Sequence, residues 1–308
     1  MYTKNISILF PKSHFSEVQL QRLEGLGKVS FIESKSLKCP KDTQILVSDG
    51  DISKSKLIEF LDSLPEVKYL VLSSSDSSFV DFDYCRQREI IVSSVPFFDA
   101  DSKAEHIIAL LLSSIRRIIA NDRLTYKRKY VSELGHNFKG STLGIVGINP
   151  LSERVVELAK CLGATVNIWT EGNIPVRIEG TRRQSLVDTL LVDSDIVSIH
   201  LTDSETNKKF FNKERISRLK DDAIVVNLAG RALVDETQMS KALSEGKVSQ
   251  YIFESDGMGN TPLKNNDNAL MFKPFSTNTV ETLEKNIEAM VTNIEGVVRG
   301  IPFSRMEM

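Results

Sequence analysis

Few side chains in this chain could carry chemistry, and they are scattered. The four histidines are His14, His106, His136 and His200, and the three cysteines are Cys39, Cys85 and Cys161. No histidine pair has the HExxH spacing and no cysteine pair the CxxC spacing, so no metal site is expected. Odd, widely separated thiols fit a reducing cytoplasm better than a disulfide framework. Cys85 and Cys161 fall on helical patterns and read as buried apolar fillers. One stretch has the form of a phosphate cradle: Thr142-Leu143-Gly144-Ile145-Val146-Gly147 running into Ile148-Asn149-Pro150-Leu151-Ser152. A dinucleotide-binding turn of this strand-turn-helix form would read Gly-x-Gly-x-x-Gly. Its glycines permit the tight turn, the approach of pyrophosphate and close helix packing. Here Gly147 keeps the first place, and Asn149 and Ser152 stand in the other two. Pro150 suits a first helical turn, and the helix N-terminus after it offers partial positive charge. Gly147, Asn149, Pro150 and Leu151 are therefore candidate cofactor contacts. A plain βα turn that holds no nucleotide is the other reading. An acid to hold a ribose should follow about 20 residues later. That place falls on Thr170, with Glu171 beside it.

The elements that must position these residues alternate along the chain. Its 308 residues suggest two domains, and 41% apolar with 26% charged residues is an ordinary globular balance. Lys plus Arg is 39 and Asp plus Glu is 41, a net charge of −2, which argues against nucleic-acid or anionic-membrane partners. No apolar run approaches the roughly 18 residues that span a bilayer, and the N-terminus reads as a strand rather than a secretion signal. Apolar runs at Ser7–Phe10, Ile45–Ser48, Lys68–Leu72 and Ile90–Ser93 predict buried strands, with helical patterns at Ser16–Leu26 and Lys54–Leu64 between them. A long helix is predicted near Ser102–Ala120, followed by a basic, polar connection over Asn121–Gly140. The pattern then restarts, with strands at Thr165–Trp169, Asp195–His200, Ala223–Leu228 and Gln250–Glu254. Helices are predicted at Leu151–Leu162, Arg183–Leu191, Lys213–Leu219, Asp235–Ser244 and Val280–Arg299. This is an α/β chain of two doubly wound, Rossmann-like parallel sheets.

With these pieces assembled, the chain resembles the D-2-hydroxyacid dehydrogenase family, which includes phosphoglycerate dehydrogenases and glyoxylate reductases. Ala104-Glu105-His106 opens the long helix as the family's AEH does. Ser194–His200 matches the strand leading to the cofactor. Val226-Asn227-Leu228-Ala229, Leu233-Val234-Asp235-Glu236 and Ala242-Leu243 with Gly246 form the most specific stretch. The resemblance implies a substrate domain of residues 1–98 plus 280–308 and a nucleotide domain of residues 99–279, with a cleft between them. It also implies a homodimer and an NAD or NADP cofactor, with His200, Leu228, Ala229 and Glu254 near it. Arg182 or Arg183 would be the group to meet a 2′-phosphate.

The family's reaction uses an Arg, a His and a Glu, and the resemblance places Gly230, Phe275 and Gly259 at those positions. Arg231 is one residue late, Asp256 lies near the missing Glu, and His200 ends a strand; these are the relocated candidates. His106 reads as structural. The family's glycine-rich loop becomes Ser73-Ser74-Ser75-Asp76-Ser77-Ser78. Asp76 would repel an anionic substrate by about 1 kcal/mol in water and about 4 kcal/mol near a protein surface at 4 Å. Losing an acid–base group costs roughly 10²–10⁴ in rate and losing an oxyanion stabiliser roughly 10²–10³, without additivity. The expectation is a degenerate homologue without efficient dehydrogenase activity. It would bind a nucleotide or small anion weakly or not at all, in a regulatory or partner role. The alternative is an active NAD(P)-dependent oxidoreductase on a small 2-hydroxy or 2-oxo acid with rearranged groups.

Overall fold

The computed structural model describes residues 4–32, 38–48, 52–73, 77, 79–95, 97–129, 132–172, 174, 178–255, 257, 259 and 261–302. It divides into two compact units, residues 1–99 with 278–308, and residues 100–277.

The first unit holds β1 (Lys4–Ile8), α1 (Glu17–Glu24), β2 (Gly27–Phe31), β3 (Ile45–Ser48), α2 (Lys54–Asp62), β4 (Tyr69–Leu72), α3 (Phe82–Gln87), β5 (Ile91–Ser94) and, from the far end of the chain, α10 (Val280–Val298). Its five-stranded sheet runs β2-β1-β3-β4-β5, with every pairing parallel. Successive residues of a strand point to opposite faces. Leu46, Leu70, Leu72 and Val92 accordingly join Leu57 and Leu61 of α2 on one face, and Ile6, Ile8, Val47 and Val71 join Ile287, Met290 and Ile294 of α10 on the other. Burial on both faces explains why these strands are continuous apolar runs.

The second unit holds α4 (Ala100–Ile115), α5 (Ile118–Tyr126), β6 (Thr142–Val146), α6 (Pro150–Cys161), β7 (Thr165–Trp169), β8 (Arg182–Arg183), α7 (Val187–Asp193), β9 (Ile196–Ile199), α8 (Lys213–Arg218), β10 (Ala223–Asn227), α9 (Glu236–Ser244), β11 (Val248–Glu254) and β12 (Ala269–Phe272). Its seven-stranded parallel sheet runs β12-β11-β10-β9-β6-β7-β8. One face packs on α4 and α6 through Ile107, Leu111, Val155 and Val156; the other packs on α7 and α9 through Leu190, Leu191, Met239 and Leu243. The strand order reverses at β6, and ligands of such sheets bind beyond the strands' carboxyl ends at such a switch.

Several details differ from expectation. The long helix stops at Ile115, and Arg117 adopts a left-handed φ of 53° before α5 begins, so part of the expected connection is helical. Cys161 ends α6 exposed, whereas Cys85 is buried as foreseen. The strands β2, β8 and β12 were not foreseen, and Arg183, expected to open a helix, lies in β8 while α7 begins only at Val187. Among the described residues no helix is long and apolar enough to cross a membrane, and no group of three His, Cys, Asp or Glu could hold a metal ion.

Candidate functional site at the carboxyl edge of the second sheet

The turn from β6 into α6 is built on Gly147. Its φ is 101°, and a Cβ there would lie 2.8 Å from the carbonyl carbon and oxygen of His200. Its N–H donates to the Trp169 carbonyl at 2.8 Å, locking the turn to the end of β7. Asn149 then caps α6. Its Oδ1 accepts from Ser152 N at 2.9 Å, Ser152 Oγ accepts from Asn149 N at 2.9 Å, and Asn149 Nδ2 donates to the His200 carbonyl at 3.1 Å. The two residues standing in glycine places thus satisfy each other's backbone N–H groups, and Pro150 has none to offer. Leu151 is half-buried against the α4–α6 core. Thr170 is buried, with its hydroxyl directed to the Glu171 carbonyl at 3.4 Å, and Glu171 is exposed. Arg182 and Arg183 form the exposed edge strand β8, and Arg183 Nη2 donates to the Gly172 carbonyl at 3.1 Å.

His200 is 5% exposed, and its Nε2 lies 2.8 Å from Ser198 Oγ. Burial pushes its imidazole down to about 3, so it stays neutral at ordinary pH. It carries no acidic partner among the described residues; Asp256, like Asp76, lies outside them.

Beyond β10 the chain folds around Asn227. Its Oδ1 accepts from Ala229 N and Gly230 N at 3.2 and 3.3 Å, while its Nδ2 donates to the Gly230 carbonyl at 2.8 Å and to Tyr251 Oη at 3.1 Å. Leu228 and Ala229 pack half-buried against opposite cores. A Cβ on Gly230 would overlap the Asp203 carboxylate. Arg231 is engaged elsewhere. It makes a two-pronged pair with Glu236, Nε to Oε1 at 2.6 Å and Nη2 to Oε2 at 2.7 Å, and Nη1 donates to Ser255 Oγ at 3.1 Å. Glu236 also accepts from Thr261 Oγ1 at 2.6 Å. Burial alone would raise the Glu236 carboxyl, but these donors outweigh it and hold it below its ordinary value.

A second cluster, which the sequence did not reveal, lies at the end of β11. Glu254 Oε1 accepts from the backbone N–H groups of Phe275 and Ser276 at 3.2 Å each, and Oε2 accepts from Ser276 Oγ at 3.2 Å. His106 Nε2, on α4, is 3.4 Å from Glu254 Oε1, at ion-pair distance without hydrogen-bond alignment. Desolvation would raise Glu254, but His106 and the backbone donors hold it below its ordinary value. The Phe275 ring meets His106 edge-on, with centroids 4.5 Å apart. Gly259 is exposed with open space around it. Topology alone brings α4 to the end of β11; no local spacing could have signalled it.

Residues 108–277 match the model of the D-isomer specific 2-hydroxyacid dehydrogenase, NAD binding domain. The chain belongs to the D-2-hydroxyacid dehydrogenase family. A hydroxypyruvate reductase of Blautia hydrogenotrophica is 23% identical over 91% of this chain and 92% of its own length. A glyoxylate reductase of Thermofilum pendens is 28% identical over 79% of this chain and 75% of its own. The crystal structure of a glyoxylate reductase from Paecilomyes thermophila has the same fold, with a TM-score of 0.85 at 22% identity over 99% of both chains. In this dehydrogenase-family protein the matched NAD-binding domain falls within the second unit.

Proposed function

We propose that this family member does not carry out the family's hydride chemistry and serves as a cytoplasmic binding or regulatory protein with weak affinity, at most, for NAD(P) or a small anion. The observation that carries this reading is the Arg231–Glu236 pair. The guanidinium nearest the place of the family Arg is already neutralised by a carboxylate, so it is not free to clamp a substrate. Phe275 at the family His position cannot exchange a proton, and Gly259 at the family Glu position cannot orient one. Of the relocated candidates, His200 is buried and hydrogen-bonded to Ser198 rather than to an acid. The pyrophosphate turn points the same way: the capping box has used the Asn149 and Ser152 N–H groups that a phosphate would otherwise approach. The fit to a dinucleotide is poor at that turn.

Calorimetric titration with NADH and NADPH should give dissociation constants above ~100 μM or no heat, equivalent to binding weaker than about −5.5 kcal/mol. NADH oxidation with glyoxylate, pyruvate, hydroxypyruvate or 2-oxoglutarate should not exceed a denatured control. A turnover near ~1 s⁻¹, within the ordinary enzyme range, would overturn the proposal. Its loss in Arg231→Ala or His200→Ala would then place a relocated site. That second reading, an NAD(P)-dependent oxidoreductase with rearranged groups, has in its favour that the relatives named above are reductases.

We also propose a homodimer formed through the α5 region. Ile118, Tyr126 and Leu134 there are 55%, 83% and 91% exposed, and apolar side chains this exposed mark association surfaces when they are clustered. Light scattering at micromolar concentration should return about twice the chain mass of 34.5 kDa; the mass of one chain would remove the claim.

A further inference from the structure

We infer that His106 and Glu254 form a proton-transfer pair at the carboxyl edge of the second sheet, acting through His106 Nδ1 on a small carbonyl compound that carries an exchangeable hydrogen on the adjacent carbon. This is a different chemistry from hydride transfer and does not need the family's Arg, Glu and His.

The geometry brings the parts of such a pair together, with His106 Nε2 3.4 Å from Glu254 Oε1, at ion-pair distance but not aligned as a hydrogen bond. A carboxylate held rigidly behind an imidazole fixes the ring's tautomer and stabilises the imidazolium once it forms. Glu254 is held by three hydrogen bonds from Phe275 N, Ser276 N and Ser276 Oγ. The hydroxyl of Ser102, on α4 itself, donates to the Ser276 carbonyl at 2.7 Å, tying the same segment to the helix that carries His106. His106 Nε2 is buried and faces Glu254, while the ring keeps 12% side-chain exposure that excludes Nε2. Among the described residues Nδ1 has no hydrogen-bond partner and, unlike Nε2, is not a buried atom left without one, so it is the nitrogen open to a ligand. The Phe275 ring, 43% exposed and edge-on to the imidazole, supplies an apolar wall.

In the step proposed, neutral His106 Nδ1 takes a proton from the carbon next to the carbonyl. The C–H electron pair forms the carbon–carbon double bond, and the carbonyl π pair moves onto oxygen as an enolate. Return of a proton from the imidazolium regenerates the carbonyl compound. No electrons are gained or lost overall, and in D₂O the returned proton is a deuteron.

The full-length protein is incubated in D₂O with hydroxyacetone or with pyruvate, and loss of the carbon-bound proton signals is followed by proton NMR. Faster exchange than with heat-denatured protein is expected for at least one compound; hydroxyacetone alone would mark a neutral ligand and pyruvate an anionic one. His106→Gln should lower the rate about 100-fold, the ordinary share of one acid–base group. Glu254→Gln keeps an oxygen acceptor for the Phe275 and Ser276 N–H groups. As a change in a positioning residue, it should slow exchange and also shift the imidazole ¹⁵N signals of His106 away from the Nε2–H tautomer. A wild-type rate equal to the control with both compounds overturns the inference, as does an unchanged rate in His106→Gln. If His106→Gln does not fold, unchanged rate and ¹⁵N signals in Glu254→Gln overturn it instead. Failure here leaves the NADH-oxidation result standing on its own.

Discussion

Replacing His200 with Gln should flatten the acid limb of this protein's stability profile by several kcal/mol. The imidazole is buried, and burial holds its folded value at about 3, against an ordinary value near ~6.5. Below about pH 6.5 the unfolded chain takes up a proton that the folded chain refuses until about pH 3. The contribution is therefore fully present above pH 6.5 and is lost as pH falls toward 3. Over about 3.5 pH units at about 1.4 kcal/mol each it reaches about 5 kcal/mol, of which about 2 kcal/mol is gone by pH 5. Urea unfolding of wild type and His200→Gln at pH 7, 6, 5 and 4 reads this directly. The variant should lose stability more slowly as pH falls, and parallel curves would contradict the buried, neutral state.

The second large effect is expected at Gly147. Its φ of 101° is strained for any L side chain, and its Cβ would press on the His200 carbonyl at 2.8 Å. A residue held in a sparsely populated backbone region costs about 1–3 kcal/mol, and forcing a side chain into packed backbone about 1–3 kcal/mol more. Gly147→Val should therefore destabilise the second unit by about 2–6 kcal/mol, and Gly147→Ala by somewhat less, measured by urea unfolding at pH 7. A Val variant within 0.5 kcal/mol of wild type would show that the turn can move away from His200.

The expected acid sensitivity and the glycine constraint meet at one place, since the His200 carbonyl both limits Gly147 and accepts from Asn149. The sequence made only part of this legible. Ile45–Ser48 and Ile196–Ile199 could be read as strands because burial on both faces leaves no polar alternation. Edge strand β2, Gly-Lys-Val-Ser-Phe, is only partly buried and so carries no such run. The break at Arg117 was not legible, because a left-handed arginine is set by packing around it rather than by propensity. Arg231 read as a relocated candidate for the family Arg; its partner Glu236 sits five residues on, outside the helical spacings of ion pairs, and the short turn Arg231–Leu233 brings the two together. His106 and Glu254 belong to elements far apart in sequence, and only the packing of α4 against the sheet joins them.

The self-contained start of α6 has a consequence for life in the cell. Many nucleotide-binding turns are left with bare amide donors until a phosphate arrives, so their stability rises and falls with cofactor concentration. Here two of those donors, the N–H groups of Asn149 and Ser152, already have side-chain partners. With a dissociation constant near ~100 μM, even millimolar dinucleotide would add only about 1.4 kcal/mol. On the weak binding proposed above, the unfolded fraction of this protein should change by no more than about tenfold between an empty and a filled nicotinamide pool.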